Sequence, residues 1–115
     1  MSFKAASRES GGITVIDLEG RITLGEGSGA LHALIRETLA KGVRKIVVNL
    51  AGVSYIDSSG LGELVSLYRA VKESGGELKL LSVSRKVTDL LQVTKLYTVF
   101  DIHSDEASVL ASFRP

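Results

Sequence analysis

The sequence of 115 residues contains no cysteine and no tryptophan. Without thiols the chain can form neither disulfides nor a thiolate metal site, so thiol redox chemistry is excluded. Aromatic residues make up only 5%, too few for a surface on which single-stranded nucleic acid could stack. Fourteen basic residues stand against thirteen acidic ones, for a net charge of +1, and this balance lacks the electrostatic signature of a nucleic-acid-binding domain.

The chain also lacks a long hydrophobic run. No segment approaches the roughly 20 apolar residues that a membrane helix needs, and residues 1–4 are not followed by an apolar signal segment. Hydrophobic residues make up 44% and charged residues 23%, which is typical of a globular protein. We therefore expect one domain over residues 1–115, cytoplasmic and without membrane insertion.

The order of the hydrophobic patterns predicts an α/β fold. The first two strands form a hairpin at Gly11-Gly12, the second strand closes at Gly20, and strands alternate with helices after Lys45. This predicts a mixed, mostly parallel sheet of four to five strands with about four α-helices, in the order β-β-α-β-α-β-α-β-α. The predicted strands are residues 3–8, Ile13–Leu18, Lys45–Leu50, Glu77–Val83 and Val99–Ile102, and the predicted helices begin at Gly25–Gly29, Ser58, Ser84 and Ser104.

Each predicted helix carries an apolar stripe at steps of three and four residues. The second helix should run from about Ser58 to Ser74. The predicted inward positions are Leu31, Leu34, Ile35, Thr38 and Leu39; Leu61, Leu64, Val65, Tyr68 and Val71; Val87, Leu90, Leu91 and Thr94; and Ala107, Leu110, Ala111 and Phe113.

The most informative segment is Asp57-Ser58-Ser59-Gly60-Leu61-Gly62, which lies where a strand passes into a helix. In an α/β sheet this is the edge at which sites are built. A serine hydroxyl here could cap the helix by accepting from an N–H two or three residues on. Alternatively, a phosphate on Ser58 or Ser59 would add nearly two negative charges to the surface without disturbing the fold.

The neighbours of these serines also have two interpretations each. Asp57 is either an alternative cap or the group that orients a hydroxyl. Gly62 lies in the first turns of a helix, where glycine costs roughly 1 kcal/mol relative to alanine. Either it packs tightly on the neighbouring strand, or it leaves an opening for the backbone of a partner or kinase.

Other candidate sites are weak. The Gly25–Gly29 segment matches neither a dinucleotide-binding nor a P-loop pattern, so we interpret it as a flexible loop before a helix. We expect His32 on the surface and His103 in a structural role. The two histidines lack metal-ligand spacing, and no nucleophile, base and acid stand together. We expect no metal, no cofactor, no catalytic residue and no enzymatic activity.

The segment Ile56–Gly62, following Lys45–Leu50, resembles the STAS domain of bacterial anti-sigma factor antagonists. The resemblance extends through 75–80 and 87–91 and covers roughly Ile13 to Leu110. It implies a protein that binds an anti-sigma factor with ATP-dependent serine kinase activity and so frees a sigma factor. The kinase would then phosphorylate Ser58, with Ser59 as second choice, and a PP2C-type phosphatase would reverse the modification.

One departure from the family pattern concerns the second strand, where family members commonly carry acidic residues. Here the stretch is Gly20-Arg21-Ile22-Thr23, which favours a divergent partner kinase. We also expect that the exposed face of the second helix contributes to docking, although a merely solvated face would look the same. A weak homodimer is a further expectation. The predicted partner-binding residues are Arg21, Thr23, Asp57, Ser58, Ser59, Gly60, Leu61, Gly62, Glu63 and Ser66.

Two alternatives stay open. The first is a STAS scaffold without phosphate turnover, such as a stressosome component or an accessory subunit of a lipid-transport ABC system. The second is a nucleotide or small-molecule site at the start of the second helix. The lack of a cationic residue within Ala51–Gly62 argues against tight binding of an anion there.

Overall fold

The computed structural model describes residues 3–25 and 27–113, so Glu26 of the glycine-rich segment lies outside the described residues. Within these ranges a five-stranded sheet carries four α-helices and one short 3-10 helix. The strands are β1 (Lys4–Ser10), β2 (Ile13–Ile22), β3 (Lys45–Ile56), β4 (Glu77–Leu81) and β5 (Ile102–His103). The helices are α1 (Ser28–Ala40), α2 (Ser58–Glu73), α3 (Arg85–Val93) and α4 (Glu106–Ala111), with the 3-10 helix at Leu96–Thr98.

The strands lie in the order β1-β2-β3-β4-β5, with β1 antiparallel to β2 and the other pairs parallel. Gly11 and Gly12 form the turn of the hairpin with φ angles of 59° and 83°. Residues other than glycine rarely adopt positive φ angles. The predicted mixed, mostly parallel sheet is therefore confirmed.

The helices cover the two faces of the sheet unequally. The apolar residues of α1, α2 and α3 share one large buried cluster with Ile16, Val48 and Leu80. On the opposite face, Val109 of α4 and Phe113 pack on a smaller cluster of strand residues. Because β2 and β3 are parallel, their carboxyl ends lie together at one edge of the sheet, beside the start of α2.

The two central strands are longer than the sequence predicted. The prediction that β2 closes at Gly20 is wrong, because the strand passes through this residue at φ +105° and continues to Ile22. The pairing register with β3 shifts at this point, as in a β-bulge. β3 extends to Ile56 rather than Leu50 because Val53 and Ile56 remain buried. The exposed residues Ala51, Gly52 and Ser54 weaken the sequence pattern in this part of the strand.

Smaller corrections concern the second half of the chain. β4 ends at Leu81, and the last strand is Ile102–His103 because the 3-10 helix precedes it. Leu67 is buried although the predicted stripe omitted it. The cap of α4 is the Asp105 carboxylate, which accepts from Ser108 N, rather than Ser104. Among the predicted inward positions, Val65, Tyr68, Leu34, Leu39, Leu90 and Leu110 are half-buried and Thr94, Ala107 and Ala111 are exposed.

An ion-pair cluster fastens α4 to the first strand. The Arg8 guanidinium donates from Nε to Asp17 Oδ2 at 2.7 Å and from Nη2 to Glu106 Oε1 at 2.8 Å. Hydrogen bonds from Arg8 are the main reason that the pKa values of Asp17 and Glu106 lie below their ordinary range. Because a lowered carboxyl pKa stabilises only the ionised form, this contribution is complete above about pH 4–5 and is lost as the pH falls through the lowered values.

We expect Arg8→Gln to lower the free energy of unfolding by about 1 kcal/mol or less at neutral pH, since the pair is half-exposed and screened by solvent. The loss should vanish at acid pH, where both carboxyls are protonated in the parent protein. Urea unfolding across a pH series would measure this. Arg36→Gln is the control, because Arg36 is exposed on α1 with no ion pair among the described residues. Equal pH slopes in both variants would contradict the prediction.

Candidate functional site

Asp57 organises the junction between the sheet and α2. Its Oδ1 accepts from Gly60 N at 2.8 Å, and its Oδ2 accepts from Leu24 N at 3.3 Å. Its own N–H donates to Ile22 O at 3.2 Å. One carboxylate therefore caps α2 and holds the loop after β2. Because Asp57 occupies the cap, the expectation that a serine hydroxyl caps this helix is wrong.

The two serines that follow differ in exposure. Ser58 is the first residue of α2 and is exposed, whereas Ser59 is half-buried. Neither hydroxyl hydrogen-bonds to any residue within 3–25 or 27–113. Capping by Asp57 leaves the Ser58 hydroxyl available for modification, and its exposure makes it the better candidate of the two.

The two glycines have opposite surroundings. A Cβ on Gly60 would lie 2.3 Å from Ile22 O and 2.9 Å from side-chain atoms of Ile22 and Ile56, whereas a Cβ on Gly62 would meet nothing within 4 Å. The interpretation that Gly62 packs tightly on a strand is therefore wrong, since Gly60 has this role. Gly62 is exposed one residue after the buried Leu61 and leaves the surface of the first turn without a side chain.

The segment that follows β2 lies beside this junction. The Arg21 guanidinium carbon lies 4.8 Å from the centroid of the Tyr55 ring, in the geometry of a cation–π contact. Thr23 forms a bridge with Gly27, and Leu24 is 77% exposed. The hydrogen bond from Leu24 N to Asp57 Oδ2 places this segment at the edge that carries Asp57. Sequence reasoning missed Leu24 and Tyr55, which are large and exposed next to the site.

The predicted positions on α2 are not equivalent. Glu63 Oε2 lies 2.6 Å from His32 Nδ1 on α1, so Glu63 belongs to an interhelical contact that becomes an ion pair when the imidazole is protonated. Ser66 is exposed one turn further along.

His32 lies on the surface as predicted. His103 is structural as predicted, because its Nδ1 lies 3.0 Å from Ser108 Oγ and its Nε2 lies 3.0 Å from Asp101 Oδ1.

A cavity of about 350 Å³ opens beside Ser58. Lys86 lies far from the two serines along the chain, so no sequence pattern connects it with them. The helix α3 follows the carboxyl end of β4, and its first turn therefore lies at the same sheet edge as the start of α2. The cavity is lined by Tyr55, Ile56, Asp57, Ser58, Lys86, Val87 and Leu90.

We expect Asp57→Ala to lower the free energy of unfolding by about 1–2 kcal/mol, because the helix loses its cap and Leu24 N loses its acceptor. Asp57→Asn is the matched control, since its amide oxygen can still cap Gly60 N and should retain most of the stability. Chemical denaturation of both variants measures the difference. Equal stability of Asp57→Ala and the parent protein would contradict this assignment.

Two classes of feature are absent from the described part of the chain. Residues 3–25 and 27–113 hold no group of three or more histidine, cysteine, aspartate or glutamate side chains arranged for a metal ion. None of the helices in these ranges has the length and apolar character to cross a bilayer.

Comparison with known proteins gives one consistent family. An anti-sigma-B factor antagonist of Bacillus subtilis is 43% identical over 53 residues, 46% of this chain and 49% of the relative. The chain spans about half the length of the curated relatives it matches. An anti-sigma factor antagonist from Mycobacterium paratuberculosis shares the fold with a TM-score of 0.88 at 20% identity, covering 99% of this chain and 96% of that one.

A second solved structure is that of the Bacillus cell fate determinant SpoIIAA in its phosphorylated form. It has a TM-score of 0.72 at 22% identity and covers 98% of this chain and 100% of that one. A family model described as STAS domain matches residues 4–109. With the fold, the junction at Asp57 and this match in agreement, the chain belongs to the STAS domain family.

Proposed function

We propose that this protein is an anti-sigma factor antagonist, which binds an anti-sigma factor and thereby releases a sigma factor. The single observation that carries the proposal is the exposed Ser58 hydroxyl, which has no hydrogen-bond partner among the described residues and lies directly after the Asp57 cap. The curated relatives named as antagonists support the same role. The protein would act in the cytoplasm as a binding partner and a substrate, not as an enzyme.

In this proposal the docking surface surrounds the start of α2. It comprises the signature Asp57–Gly62, the neighbouring positions Arg21 and Thr23, and Glu63 and Ser66 on α2. The bare backbone at Gly62 supports close approach by a partner, because no side chain covers it. Arg21 stacked on Tyr55 presents a cation where family members commonly carry acidic residues, which favours a partner with complementary acidic groups.

Phosphorylation would switch this surface off. The anti-sigma factor, acting as a serine kinase, transfers the γ-phosphoryl group of ATP to Ser58 Oγ; the hydroxyl proton is lost and ADP leaves. A PP2C-type phosphatase reverses the step by hydrolysis, which releases inorganic phosphate. The phosphate adds roughly two negative charges to an exposed position. Buried contacts of the fold are untouched, whereas a partner packed on Ser58 would have to bury that charge.

Intact-mass measurement and peptide mapping on the protein from its native cells test the proposal. Phosphate localised to Ser58 on the peptide that contains 57–62 is the expected result, and the ATP-binding protein that co-purifies with the unphosphorylated form should phosphorylate it. An unmodified peptide under both growth and stress would overturn the switch. The protein would then be sought in stable assemblies, as the scaffold alternative requires.

A further inference from the structure

The cavity beside Ser58 is lined by a basic residue that has no charged partner among the described residues. Lys86 is an exposed residue of α3 and lines this cavity together with Ser58. Its ammonium group forms no ion pair or hydrogen bond with any residue in the described ranges. Within residues 3–25 and 27–113, the cavity is thus lined by a serine on α2 whose hydroxyl forms no hydrogen bond and by a lysine on α3 whose ammonium is unpaired.

A counter-charge at this place would stabilise a phosphate on Ser58. The neighbouring Asp57 carries a carboxylate whose two oxygens are already engaged by Gly60 N and Leu24 N. Two adjacent anionic groups repel each other, and a cation close to both of them offsets this repulsion. Arg21 is another cation at this edge of the sheet, but its guanidinium is stacked on the ring of Tyr55, whereas Lys86 lines the cavity itself.

We propose that Lys86 binds the phosphate of phosphorylated Ser58 and so ties the first turn of α2 to α3 across the cavity. The inference rests on the proposed function, because it concerns the modified form of Ser58. The phosphate is covalently held, so a single flexible ammonium can reach it and donate charge-assisted hydrogen bonds to its oxygens. Phosphorylation then does more than add charge, because it also closes the cavity between the two helices.

The test uses the full chain with phosphoserine incorporated at position 58 during translation, so that no kinase is required. The chemical shift of its phosphorus, followed by NMR from about pH 4 to pH 9, gives the second pKa of the phosphate, which is about 6 without perturbation. We expect Lys86→Gln to raise this pKa by about 0.5 or more relative to the parent protein. Lys86→Arg should restore the parent value.

Arg85→Gln is the matched control, since it removes the same charge from the adjacent position of α3 but does not line the cavity. It should titrate like the parent protein. Equal pKa values in Lys86→Gln and Arg85→Gln would overturn the proposal, as would a larger rise in Arg21→Gln than in Lys86→Gln. A second measurement compares melting temperatures with and without phosphate, and Lys86→Gln should lose the stabilisation that phosphate gives the parent.

These outcomes are independent of whether cells modify Ser58. If Lys86 fails the titration test while peptide mapping finds phosphate on Ser58, the switch stands without its intramolecular counter-ion. If mapping finds no phosphate, the switch fails whatever the titration shows.

Discussion

Gly60→Ala is expected to lower the free energy of unfolding by about 3 kcal/mol, enough to unfold a marginally stable domain. The added Cβ would lie 2.3 Å from Ile22 O, a backbone atom that cannot rotate away. That carbonyl also accepts the hydrogen bond from Asp57 N, so relief of the clash would require α2 to move off β2. Overpacking of a rigid core typically costs 1–3 kcal/mol, and this contact is at the severe end.

Gly62→Ala is the matched control, two residues further along the same helix. Its Cβ would meet nothing within 4 Å, so alanine should raise the free energy of unfolding by about 0.5–1 kcal/mol through helix propensity and a less flexible unfolded chain. Urea unfolding of both variants measures the two effects. If the two substitutions changed stability equally, the packing of Gly60 on β2 described above would be wrong.

Gly62→Ala also separates stability from docking. In the proposed function, a partner approaches the bare first turn of α2 at this residue. A variant that is more stable but binds the anti-sigma factor less tightly would support a docking role for Gly62. Unchanged affinity would restrict the contact to other parts of the first turn.

The second large effect is expected on binding. If the protein binds an anti-sigma factor as proposed, Ser58→Asp should weaken that complex by about a hundredfold, because repulsion at a central, desolvated position of an interface costs about 2 kcal/mol or more. Titration calorimetry with the purified anti-sigma factor would measure the affinity. The fold should remain intact, since Ser58 is exposed and its hydroxyl has no hydrogen bond among the described residues.

Ser58→Asn separates charge from size in this experiment. Asparagine has nearly the volume of aspartate but no charge, so it should weaken binding far less. Ser58→Ala should bind like the unphosphorylated protein and should no longer be released on addition of ATP. If Asp, Asn and Ala variants all bound with the parent affinity, Ser58 would lie outside the interface and the proposed switch would fail.

The strand and helix order followed from the sequence because each element carries a strong local signal. The Gly11-Gly12 turn, the stripe of α1 and the Ser84 cap of α3 are all set by neighbours in the chain. The carboxyl ends of β2 and β3 were harder to predict. There Gly20 and Gly52 interrupt the apolar pattern, while pairing across the sheet keeps both strands extended.

The place of the candidate site was predictable for the same reason. The strand-to-helix signature predicted that Ser58 lies at the start of α2, where the structure places it. The role of Asp57 could not be decided from spacing, since serine and aspartate are equally good caps. Lys86 lies far along the chain from Ser58, and only the fold shows that the two residues line one cavity.

The carboxylate of Asp57 links the loop after β2 to the first turn of α2. One oxygen accepts a hydrogen bond from the Leu24 N–H and the other accepts one from the Gly60 N–H. We therefore expect a displacement of the Leu24 loop to weaken the hydrogen bond that caps α2, and an unwound first turn to hold the loop less firmly. The position of the loop and the closure of the first turn therefore depend on the same carboxylate.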